Sequence, residues 1–589
     1  MIRWRVVLML TLVCCGHVWA GDTTKLSTWR FAFAGDDTSA DFARRADSLG
    51  LFRTVSVPHF FGAAGKSGGH QRGVGWYRKK LPIPDGIRSN QRVLLSFEGV
   101  SLRSTVFVDG RRAGANAFAY LPFEVDITPL VRPGQKCTVD IMVDNRLRDR
   151  DFPDRNCKGW WIYGGLIREV YLLRVPARRI TDVSLRTFHH HADTFDLSVS
   201  YETSDLSVDS MVVEVYPESG SAVLRRAMQS AAGTYRIAGL RPWTPESPFR
   251  YTIRLTAWHK RSKVAMWLRR RGFCQLSARG TRLYLNGKPY FLKGAGRHDV
   301  LGNRGPLLTR EQRRADLLDF KEMNANFVRI AHFPQHRDVY ELCDSLGLLV
   351  MDEIPAWKTD ARFLGSVAGR ERGAAFMRAL VKKHGNYTSV CLWSVGNEFR
   401  SYKNSIADYV EYVANATRRA DPSRLITYCS YYYTFDKALS HLDVVSVNEY
   451  FGWYLASLSM LGRMLDKINR QWPRKPVLIS EFGAQSEKGK RNPSARLAGV
   501  LQSMVTSDLS EDHQALFLSS HLDTILARRE YVGGVVVWAY NDFMARSRRP
   551  RTKEMPDGLN ACGLVTRTRL RKLSYETVAQ RYKALEKEQ

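Results

Sequence analysis

From about Leu276 to the end of the 589-residue chain, short apolar runs alternate with amphipathic helical patterns. Residues 309–323 carry apolar side chains at helical spacing, and residues 326–330 follow as an apolar run typical of a buried strand. The same order returns further along the chain. Strands that alternate with helices form parallel sheets, and about 300 residues are enough for eight such units. The pattern therefore predicts a (β/α)8 TIM barrel over residues 276–589.

The chain before this point has a different pattern, in which short strands are separated by turns. Residues 91–97 read as a strand, and Asp109-Gly110 is a turn signal between two strand-like runs. We expect residues 21–176 to form a jelly-roll-like β-sandwich without helices of useful length. Residues 177–275 have the length of an immunoglobulin-like β-sandwich. The chain is thus predicted to be multidomain, with two sandwiches before the barrel.

The first 20 residues are typical of an export signal. Arg3 and Arg5 supply positive charge, an apolar stretch follows, and small residues end at Ala20. We expect cleavage after Ala20 and a mature protein that is exported, periplasmic or secreted. A lipid anchor on Cys14 or Cys15 is the alternative. The apolar stretch is too short to span a membrane, and no other stretch approaches the required length.

The chain is strongly basic, with a formal net charge of +31 from 89 basic and 58 acidic residues. Such a charge favours polyanions, but no nucleic-acid-binding signature accompanies it, and an exported protein rarely meets nucleic acid. A generally basic composition is the preferred explanation, and affinity for an acidic glycan is the second. The sequence leaves the oligomeric state open, a homo-oligomer included.

No metal or cofactor is expected. Seven cysteines remain after the signal, at scattered positions without paired zinc spacing, and their odd number does not suit a disulfide framework. One bridge, between Cys137 and Cys157, stays open. His189, His190 and His191 look like a metal-binding run, but they fall on a predicted sandwich strand, so a structural role is preferred. No phosphate-binding glycine loop or cofactor fingerprint occurs at the strand ends.

Two apolar runs of the barrel segment end on a glutamate. Residues 391–398 pass from an apolar run into Gly-Asn-Glu, and residues 476–483 pass from an apolar run into Glu-Phe-Gly. In barrels of this kind the working residues lie where strands end and loops begin. Two carboxylates in these positions, Glu398 and Glu481, are what an enzyme uses to split a glycosidic bond. The alternative is that each glutamate merely caps the next helix. It is less favoured because it would have to hold for both glutamates.

A series of short motifs follows one another along the chain. They are Gly-Trp-Tyr-Arg-Lys at 75–79, Gly-Gly-Leu-Ile-Arg-Glu-Val at 164–170, Leu-Asn-Gly-Lys-Pro at 285–289, Arg-His at 297–298, His-Phe-Pro at 332–334, Trp-Ser-Val-Gly-Asn-Glu at 393–398, Asn-Glu-Tyr-Phe-Gly-Trp-Tyr at 448–454 and Ile-Ser-Glu-Phe-Gly at 479–483. By these motifs the chain resembles glycoside hydrolase family 2, the β-galactosidase and β-glucuronidase group. The resemblance covers essentially the whole mature chain.

The resemblance implies a retaining exo-β-glycosidase that works by double displacement through a covalent glycosyl-enzyme. Glu398 would be its acid/base and Glu481 its nucleophile. Glu481 must be ionised at the start, so donors are expected around it, and Arg329 and Tyr450 are suitable if they converge there. Glu398 must start protonated, and a less polar pocket near the Glu481 charge would raise its pKa.

Further contacts with the sugar are implied by the same resemblance. Asn397 would bond the 2-hydroxyl group, His332 would contact another hydroxyl group, and the ring would stack on Trp538. The remaining residues expected to bind substrate are Arg329, Tyr450, Asp299 and Asn560. For Asp352 and Glu353, at the end of one barrel strand, we expect a supporting role in which they brace Arg329 or His332.

Two departures from the family pattern bear on the identity of the sugar. Members that cut glucuronides carry an Asn-x-Lys element whose cation pairs with the sugar carboxylate. Here Cys562 stands in the place of that lysine. A neutral thiol cannot pair with a carboxylate, so a glucuronide is disfavoured unless Arg567 or Arg569 takes the role of the lysine. The segment before Asp299 lacks the asparagine usually found ahead of Arg-His, and no second acid follows Asp299.

A terminal β-hexoside is therefore the expected substrate, as a small molecule or an oligosaccharide, with a β-galactoside as the first choice. A β-glucuronidase or other uronidase is the alternative, because the length of the chain resembles the glucuronidase-sized members. A carbohydrate-binding protein without catalysis is the third reading. The presence of both Glu398 and Glu481 argues against that third reading.

Overall fold

The computed structural model describes residues 22–39, 41–62, 72–204, 206, 208–454, 457–496, 508–545 and 558–585. The predicted cleavage point after Ala20, and the cysteines considered as lipid anchors, Cys14 and Cys15, lie outside the described residues.

The N-terminal part is an antiparallel β-sandwich. Its elements are β1 (Thr23–Lys25), β2 (Thr28–Gly35), α1 (Phe42–Ser48), β3 (Arg53–Ser56), β4 (Val74–Pro82), β5 (Gln91–Phe97), β6 (Arg103–Val108), β7 (Arg111–Asn116), β8 (Phe123–Asp126), β9 (Lys136–Asp144) and β10 (Val170–Pro176). One sheet has the order β1-β10-β5-β8 and the other β3-β2-β4-β9-β6-β7. Apolar side chains of both sheets, among them Trp29, Leu95 and Ile141, form one buried core, which is the arrangement of a sandwich.

Helix α1 differs from the expectation that this part contains no helix of useful length. It has seven residues, and it buries Ala43 and Ala46 in a small cluster with Trp76. Two turns of helix are too few to show a helical period in the sequence, so tertiary packing rather than pattern stabilises it.

A second sandwich follows. Its strands are β11 (Arg179–His191), β12 (Thr194–Ser204), β13 (Ser210–Tyr216), β14 (Leu224–Met228), β15 (Ala232–Ile237), β16 (Tyr251–His259) and β17 (Ser262–Arg271). They form sheets with the orders β11-β12-β15 and β14-β13-β16-β17. Leu185 and Phe195 of the first sheet and Val213 of the second belong to one core, because alternate residues of each strand point inward.

The C-terminal part opens on a small antiparallel sheet and continues as a barrel. The small sheet contains β18 (Leu276–Arg279), β19 (Arg282–Leu285) and β20 (Lys288–Pro289); the barrel strands are β21 (Leu292–Arg297), β22 (Phe327–Ile330), β23 (Leu349–Glu353), β24 (Val390–Asn397), β25 (Leu425–Ser430), β26 (Val445–Asn448), β27 (Val477–Phe482) and β28 (Val532–Val537); a last pair is β29 (Phe543–Met544) and β30 (Leu559–Asn560). Strands β21 to β28 close into a parallel barrel in chain order. The predicted multidomain build, two sandwiches and a TIM barrel, is confirmed.

Helices surround the barrel. They are α2 (Arg310–Glu322), α3 (Arg337–Leu346), α4 (Ala361–Gly365), α5 (Val367–His384), α6 (Asn404–Ala420), α7 (Leu461–Gln471), α8 (Glu511–Leu526) and α9 (Leu573–Ala584). Helix α2 begins where the sequence predicted, because the Thr309 side chain and that of Gln312 form a reciprocal cap. Between β25 and β26 the structure has the short 3-10 turn Ala438–His441 in place of a barrel helix.

The first sandwich reaches the barrel through the chain between β9 and β10. Trp160 lies 5.6 Å, ring centre to ring centre, from His332 just after β22. Trp161 donates its indole N–H to the carbonyl of Ala545, 3.1 Å away. The sandwich therefore supplies part of the wall above the carboxyl ends of the barrel strands.

Among the described residues, Cys137, Cys157, Cys274, Cys343, Cys391 and Cys429 form no disulfide. Most of them are buried, as small core residues are. Within the ranges given above, no helix is both long and apolar enough to cross a membrane.

Candidate active site

The carboxyl ends of neighbouring barrel strands bring polar side chains together at one end of the barrel. Strand β22 contributes Arg329, β24 ends at Asn397 with Glu398 next, β26 ends at Asn448, and β27 contains Glu481. Side chains on parallel strands of a closed barrel converge because all strands end at the same rim. The two glutamates singled out in the sequence lie in this cluster.

Arg329 is the central cation of the cluster. Its Nη1 donates to Glu481 Oε1 at 2.6 Å, and its Nη2 donates to Glu353 Oε2 at 3.0 Å and to Asn397 Oδ1 at 2.8 Å. The side chain is fully buried. A planar guanidinium can serve several acceptors at fixed angles, so Arg329 sets the relative positions of these three side chains.

Glu481 accepts a second hydrogen bond, from the hydroxyl group of Tyr450 at 2.7 Å. The convergence of Arg329 and Tyr450 on Glu481, which the sequence made conditional, is present in the structure. Burial raises the pKa of Tyr450 well above its usual value, so this hydroxyl group is a neutral donor. Each oxygen of Glu481 therefore has a fixed donor.

Glu398 lies directly after β24 with a positive φ of 54°, a conformation that is uncommon for a residue with a side chain. Its Oε1 accepts from Asn448 Nδ2 at 3.1 Å, and its Oε2 lies 2.9 Å from the ammonium group of Lys358. Asn448 Nδ2 also reaches Asn397 Oδ1 at 3.1 Å. One amide thus ties Glu398 to the residue that Arg329 holds.

The two glutamates have pKa shifts opposite to those expected from the sequence. Burial would raise the pKa of Glu398, but the Lys358 ion pair outweighs it and holds that pKa below its ordinary value. Burial raises the pKa of Glu481; Arg329 opposes this, and the neighbouring Glu398 charge adds to it. For Glu398 the cause is Lys358, a cation that the sequence did not indicate; for Glu481 it is burial together with the Glu398 charge.

Glu353, at the end of β23, braces both residues that the sequence proposed for it. It accepts from Arg329 and lies 2.9 Å from Nδ1 of His332. Burial would raise the pKa of Glu353, but Arg329 and His332 lower it to about 2. Asp352 points elsewhere, toward Tyr340 and His384. Of the two acids, only Glu353 belongs to the cluster.

Aromatic rings line one side of the cluster. The Trp538 ring lies 4.8 Å from the ring of His332 and 5.4 Å from that of His298. His298 stacks on Phe543 at 3.7 Å. His332 Nε2 is 4.0 Å from Glu481 Oε1, so the Trp538 wall adjoins the nucleophile candidate. Flat apolar faces beside polar groups suit a pyranose ring.

Nδ2 of Asn397 and Nε2 of His298 are among the buried nitrogen atoms of the cluster that have no hydrogen-bond partner within the described residues. Buried polar atoms are nearly always paired, so each unpaired atom needs an explanation. At Asn397 the side-chain oxygen serves Arg329 and Asn448, which leaves the N–H group for a ligand. Both atoms are suited to contact sugar hydroxyl groups.

Asp299 has other partners than those predicted for it. Its Oδ1 lies 3.0 Å from Arg297, and its Oδ2 lies 3.3 Å from Arg313. These cations hold the pKa of the buried carboxyl well below its usual range. The structure thus places Asp299 in an ion-pair cluster with Arg297 and Arg313.

Asn560 lies opposite Phe543 in the small β29–β30 ladder, beside the ring that stacks on His298. Its Oδ1 accepts from the backbone N–H of Cys562 at 3.1 Å. The arginines considered as substitutes for a lysine at Cys562 are bound elsewhere. Arg569 pairs with Asp316 at 2.7 Å, and Arg567 donates to the carbonyl of Gly302 at 2.5 Å.

The histidine run at the end of β11 shows no sign of a metal site. Nε2 of His189 lies 3.3 Å from the carbonyl of Ala192. Over the parts of the chain that the structure describes, no group of three or more His, Cys, Asp or Glu side chains is arranged to hold a metal ion.

Sequence reasoning did not select Lys358, His298 or Asn448 as site residues. Asn448 ends an apolar run as Asn397 does, so the same strand-end signal could have selected it. His298 was seen only as part of a motif. Lys358 lies five residues beyond β23 in a loop, and no sequence pattern marks it.

Comparison with known proteins agrees with the fold. Residues 276–587 match the model "Glycosyl hydrolases family 2, TIM barrel domain", and residues 63–176 match the model "Glycosyl hydrolases family 2, sugar binding domain". The first of these matches covers more than half of the chain.

Similar curated proteins include a putative beta-glucuronidase of Formosa agariphila, 27% identical over 529 residues. That match spans 84% of this chain but only 62% of the relative. The beta-glucuronidase of Chlorocebus aethiops is 26% identical over 556 residues, which are 87% of this chain and 82% of that protein. Both likenesses extend through the sandwiches and the barrel.

Solved structures share the fold. The beta-D-glucuronidase of Dictyoglomus thermophilum has a TM-score of 0.83 at 23% identity, over 96% of this chain and 97% of that one. The beta-glucuronidase of Ruminococcus gnavus has a TM-score of 0.85 at 20% identity, with the same coverage.

Proposed function

Because the chain belongs to glycosyl hydrolases family 2 and is an O-glycosyl hydrolase, we propose that it is a retaining exo-β-glycosidase that removes a terminal β-linked uronic acid. The observation that carries the mechanism is the cluster in which Arg329 holds Glu481 and Asn397, next to Glu398. Two carboxyl groups in such a site split a glycosidic bond in two displacements.

In the first displacement, Glu481 is the nucleophile and attacks the anomeric carbon. Arg329 and Tyr450 keep the attacking carboxylate oriented, since each holds one of its oxygen atoms. Glu398 gives its proton to the glycosidic oxygen, so the leaving group departs as an alcohol. The products of this step are the free aglycone and a glycosyl ester on Glu481.

In the second displacement, Glu398 is the base. The ester at Glu481 is neutral, so Glu398 no longer faces a negative charge and can stay ionised. It takes a proton from water as the water attacks the anomeric carbon from the side the aglycone left. Glu481 is released as a carboxylate, and the sugar leaves with its β configuration retained.

Asn397 and the aromatic wall bind the sugar. The free Nδ2 of Asn397 suits a hydrogen bond with the 2-hydroxyl group, a contact that strengthens as positive charge develops on the ring. Trp538 supplies a face for stacking. His332, oriented by Glu353, and the unpaired Nε2 of His298 are donors or acceptors for further hydroxyl groups.

The relatives support a uronic acid over the β-galactoside that was the first choice from sequence. The curated proteins described above are named beta-glucuronidases, with the Formosa agariphila protein a putative one. A neutral β-hexoside stays the second candidate because of one observation: Cys562 occupies the place expected for a lysine, while Arg567 and Arg569 are bound to other groups.

The test is a panel of aryl β-glycosides with one leaving group and different sugars. We expect the aryl β-glucuronide to be hydrolysed with the highest kcat/KM, and the anomeric configuration of the first product to be β by NMR. A preference for the β-galactoside would establish the second candidate. Binding of every glycoside without turnover would instead support a carbohydrate-binding protein, and a first product of α configuration would refute the retaining mechanism.

A further inference from the structure

Lys358 is held next to Glu398 by its backbone. Its N–H donates to the carbonyl of Asn397 at 2.9 Å, and the preceding residue, Trp357, forms a parallel bridge with Asn397. Lys358 has a φ of +48°, a left-handed backbone conformation that residues other than glycine, asparagine and aspartate seldom adopt. Strained backbone of this kind persists where the surrounding structure requires it. The loop after β23 is thus tied to the strand that presents Glu398.

The ammonium group of Lys358 lies between Glu398 and solvent. Its Nζ is 2.9 Å from Glu398 Oε2, and the lysine side chain is 48% exposed against 7% for the glutamate. The same nitrogen lies 4.7 Å from the ring centre of Trp357 and 5.9 Å from that of Tyr431. Both rings are half-buried. An exposed ammonium group can form a charge-assisted hydrogen bond with an anion, and the aromatic faces beside it can pack against a ring.

The side of the site on which Lys358 lies follows from the role of Glu398. The acid/base carboxyl must contact the glycosidic oxygen, which belongs to the leaving group after cleavage. Groups on the solvent side of Glu398 therefore face the aglycone, whereas Arg329 is buried against Glu481. Lys358 accordingly lies on the side of the site from which the leaving group departs.

We propose that Lys358, with Trp357 and Tyr431, forms a binding site for an anionic group on the aglycone, a carboxylate or a sulfate ester. This inference rests on the proposed function, and it extends it to the neighbouring residue of the substrate. The chain has a net charge of +31, which would favour the approach of a substrate that carries such anionic groups.

Binding of that anion would also affect the proton of Glu398. An ammonium group that turns to the substrate no longer pairs with Glu398 Oε2. Glu398 then loses the ion pair that lowers its pKa most, while the Asn448 hydrogen bond and the nearby His332 remain. The charged and titratable groups around it are Lys358, His332, Glu481, Tyr428, Tyr431 and Tyr450. With Lys358 withdrawn, the Glu481 charge and burial both raise the pKa of Glu398. A proton taken from solvent would then prepare Glu398 for the first displacement.

The experiment compares three aryl glycosides that carry the same sugar, the one preferred in the panel above. Their aglycones are carboxyphenyl, sulfooxyphenyl and the neutral carbamoylphenyl. The enzymes are the wild type, Lys358→Met, which keeps the length without the charge, and Lys358→Arg, which keeps the charge. Lys403→Met is the matched control, because Lys403 is exposed on the loop after Glu398 and has no side-chain cap contact. Thermal unfolding checks that each variant is folded.

We expect Lys358→Met to lower kcat/KM about tenfold on the charged aglycones, the effect of one charge-assisted hydrogen bond, mainly through KM. The carbamoyl substrate should not show this loss in KM, and Lys358→Arg should recover most of it. The aglycone that loses more identifies carboxylate or sulfate as the preferred anion. Equal effects of Lys358→Met on charged and neutral aglycones, or the same loss in Lys403→Met, would overturn the inference and leave the proposed function intact.

The pH profile is the second readout. Removal of the cation favours protonated Glu398, so the alkaline limb of kcat/KM on the carbamoyl substrate should move to higher pH in Lys358→Met and stay in place in Lys403→Met. An unmoved limb would refute control of the Glu398 proton by Lys358. If the wild type hydrolyses none of the glycosides, the proposed function fails. Calorimetric binding of the carboxyphenyl glycoside then decides, since equal affinity of wild type and Lys358→Met would refute the anion site.

Discussion

Nη1 of Arg329 lies 2.6 Å from Oε1 of Glu481, in a part of the barrel where both side chains are buried. The same guanidinium pairs with Glu353, so one buried cation serves two buried carboxylates. An arrangement of this kind is stable only while every member is present, because each charge is deprived of water.

Replacement of Arg329 should therefore reduce stability as well as activity. Arg329→Met leaves Glu353 and Glu481 without their cation, and we expect a loss of about 3–5 kcal/mol in the free energy of unfolding. Denaturant unfolding measures it. Arg362→Met is the control: its partner is Asp360, its side chain is 94% exposed, and we expect a change within about 0.5 kcal/mol. Equal unfolding midpoints for the two variants would contradict the central position of Arg329.

The two glutamates should fail in different ways. Glu481→Gln should abolish turnover of all aryl glycosides, because no nucleophile remains. Glu398→Gln should slow substrates with poor leaving groups by about 10²–10⁴-fold and activated substrates much less, since only the former need a proton. Added azide should restore turnover to Glu398→Gln with activated substrates and give a β-glycosyl azide. Wild-type rates in either variant would refute the assignment.

Tyr450 offers a milder test. Tyr450→Phe removes the neutral hydroxyl group that donates to Glu481 Oε2 at 2.7 Å. We expect kcat to fall about tenfold to hundredfold, as for one hydrogen bond to a charged group. Tyr409→Phe is the matched control, because the buried hydroxyl group of Tyr409 has no hydrogen-bond partner in the structure. Its kinetics should equal those of the wild type, and a similar loss in both variants would point to a general packing effect.

Glu353 should make stability depend on pH. Its pKa is lowered to about 2 in the folded protein, against about 4.3 in an unfolded chain. The ionised carboxylate therefore stabilises the fold above pH 4.3, and this contribution is lost as the pH falls toward 2. The shift corresponds to about 3 kcal/mol, of which roughly half is lost by pH 3.

Denaturant unfolding of wild type and Glu353→Gln between pH 6 and pH 3 measures that contribution. The difference in unfolding free energy between the two proteins should shrink as the pH falls. A difference that stays constant over this range would show that folding does not lower the pKa of Glu353.

Much of the fold and the centre of the site could be predicted because their signals are local. Helix α2 begins at Arg310, within one residue of the predicted start at 309, and β5 has the predicted bounds, Gln91–Phe97. Asn397, Glu398 and Glu481 were found because each ends or follows an apolar run, and a barrel requires those ends to meet. The sequence named Arg329 and Tyr450 as donors to Glu481 only on the condition that they converge, and the structure meets that condition. Helix α1 was missed because seven residues show no period.

What the sequence by itself determined was the order of strands, turns and helices, and with it the three-part build and the two glutamates at the rim of the barrel. Only the tertiary structure decided which charges face each other. It brings Lys358 into an ion pair with Glu398, and the pKa shifts of Glu398 and Glu481 are opposite to those expected. It also pairs Asp299 with Arg297 and Arg313. Periodicity is a property of neighbouring residues, whereas burial and charge separation depend on residues that meet only after folding.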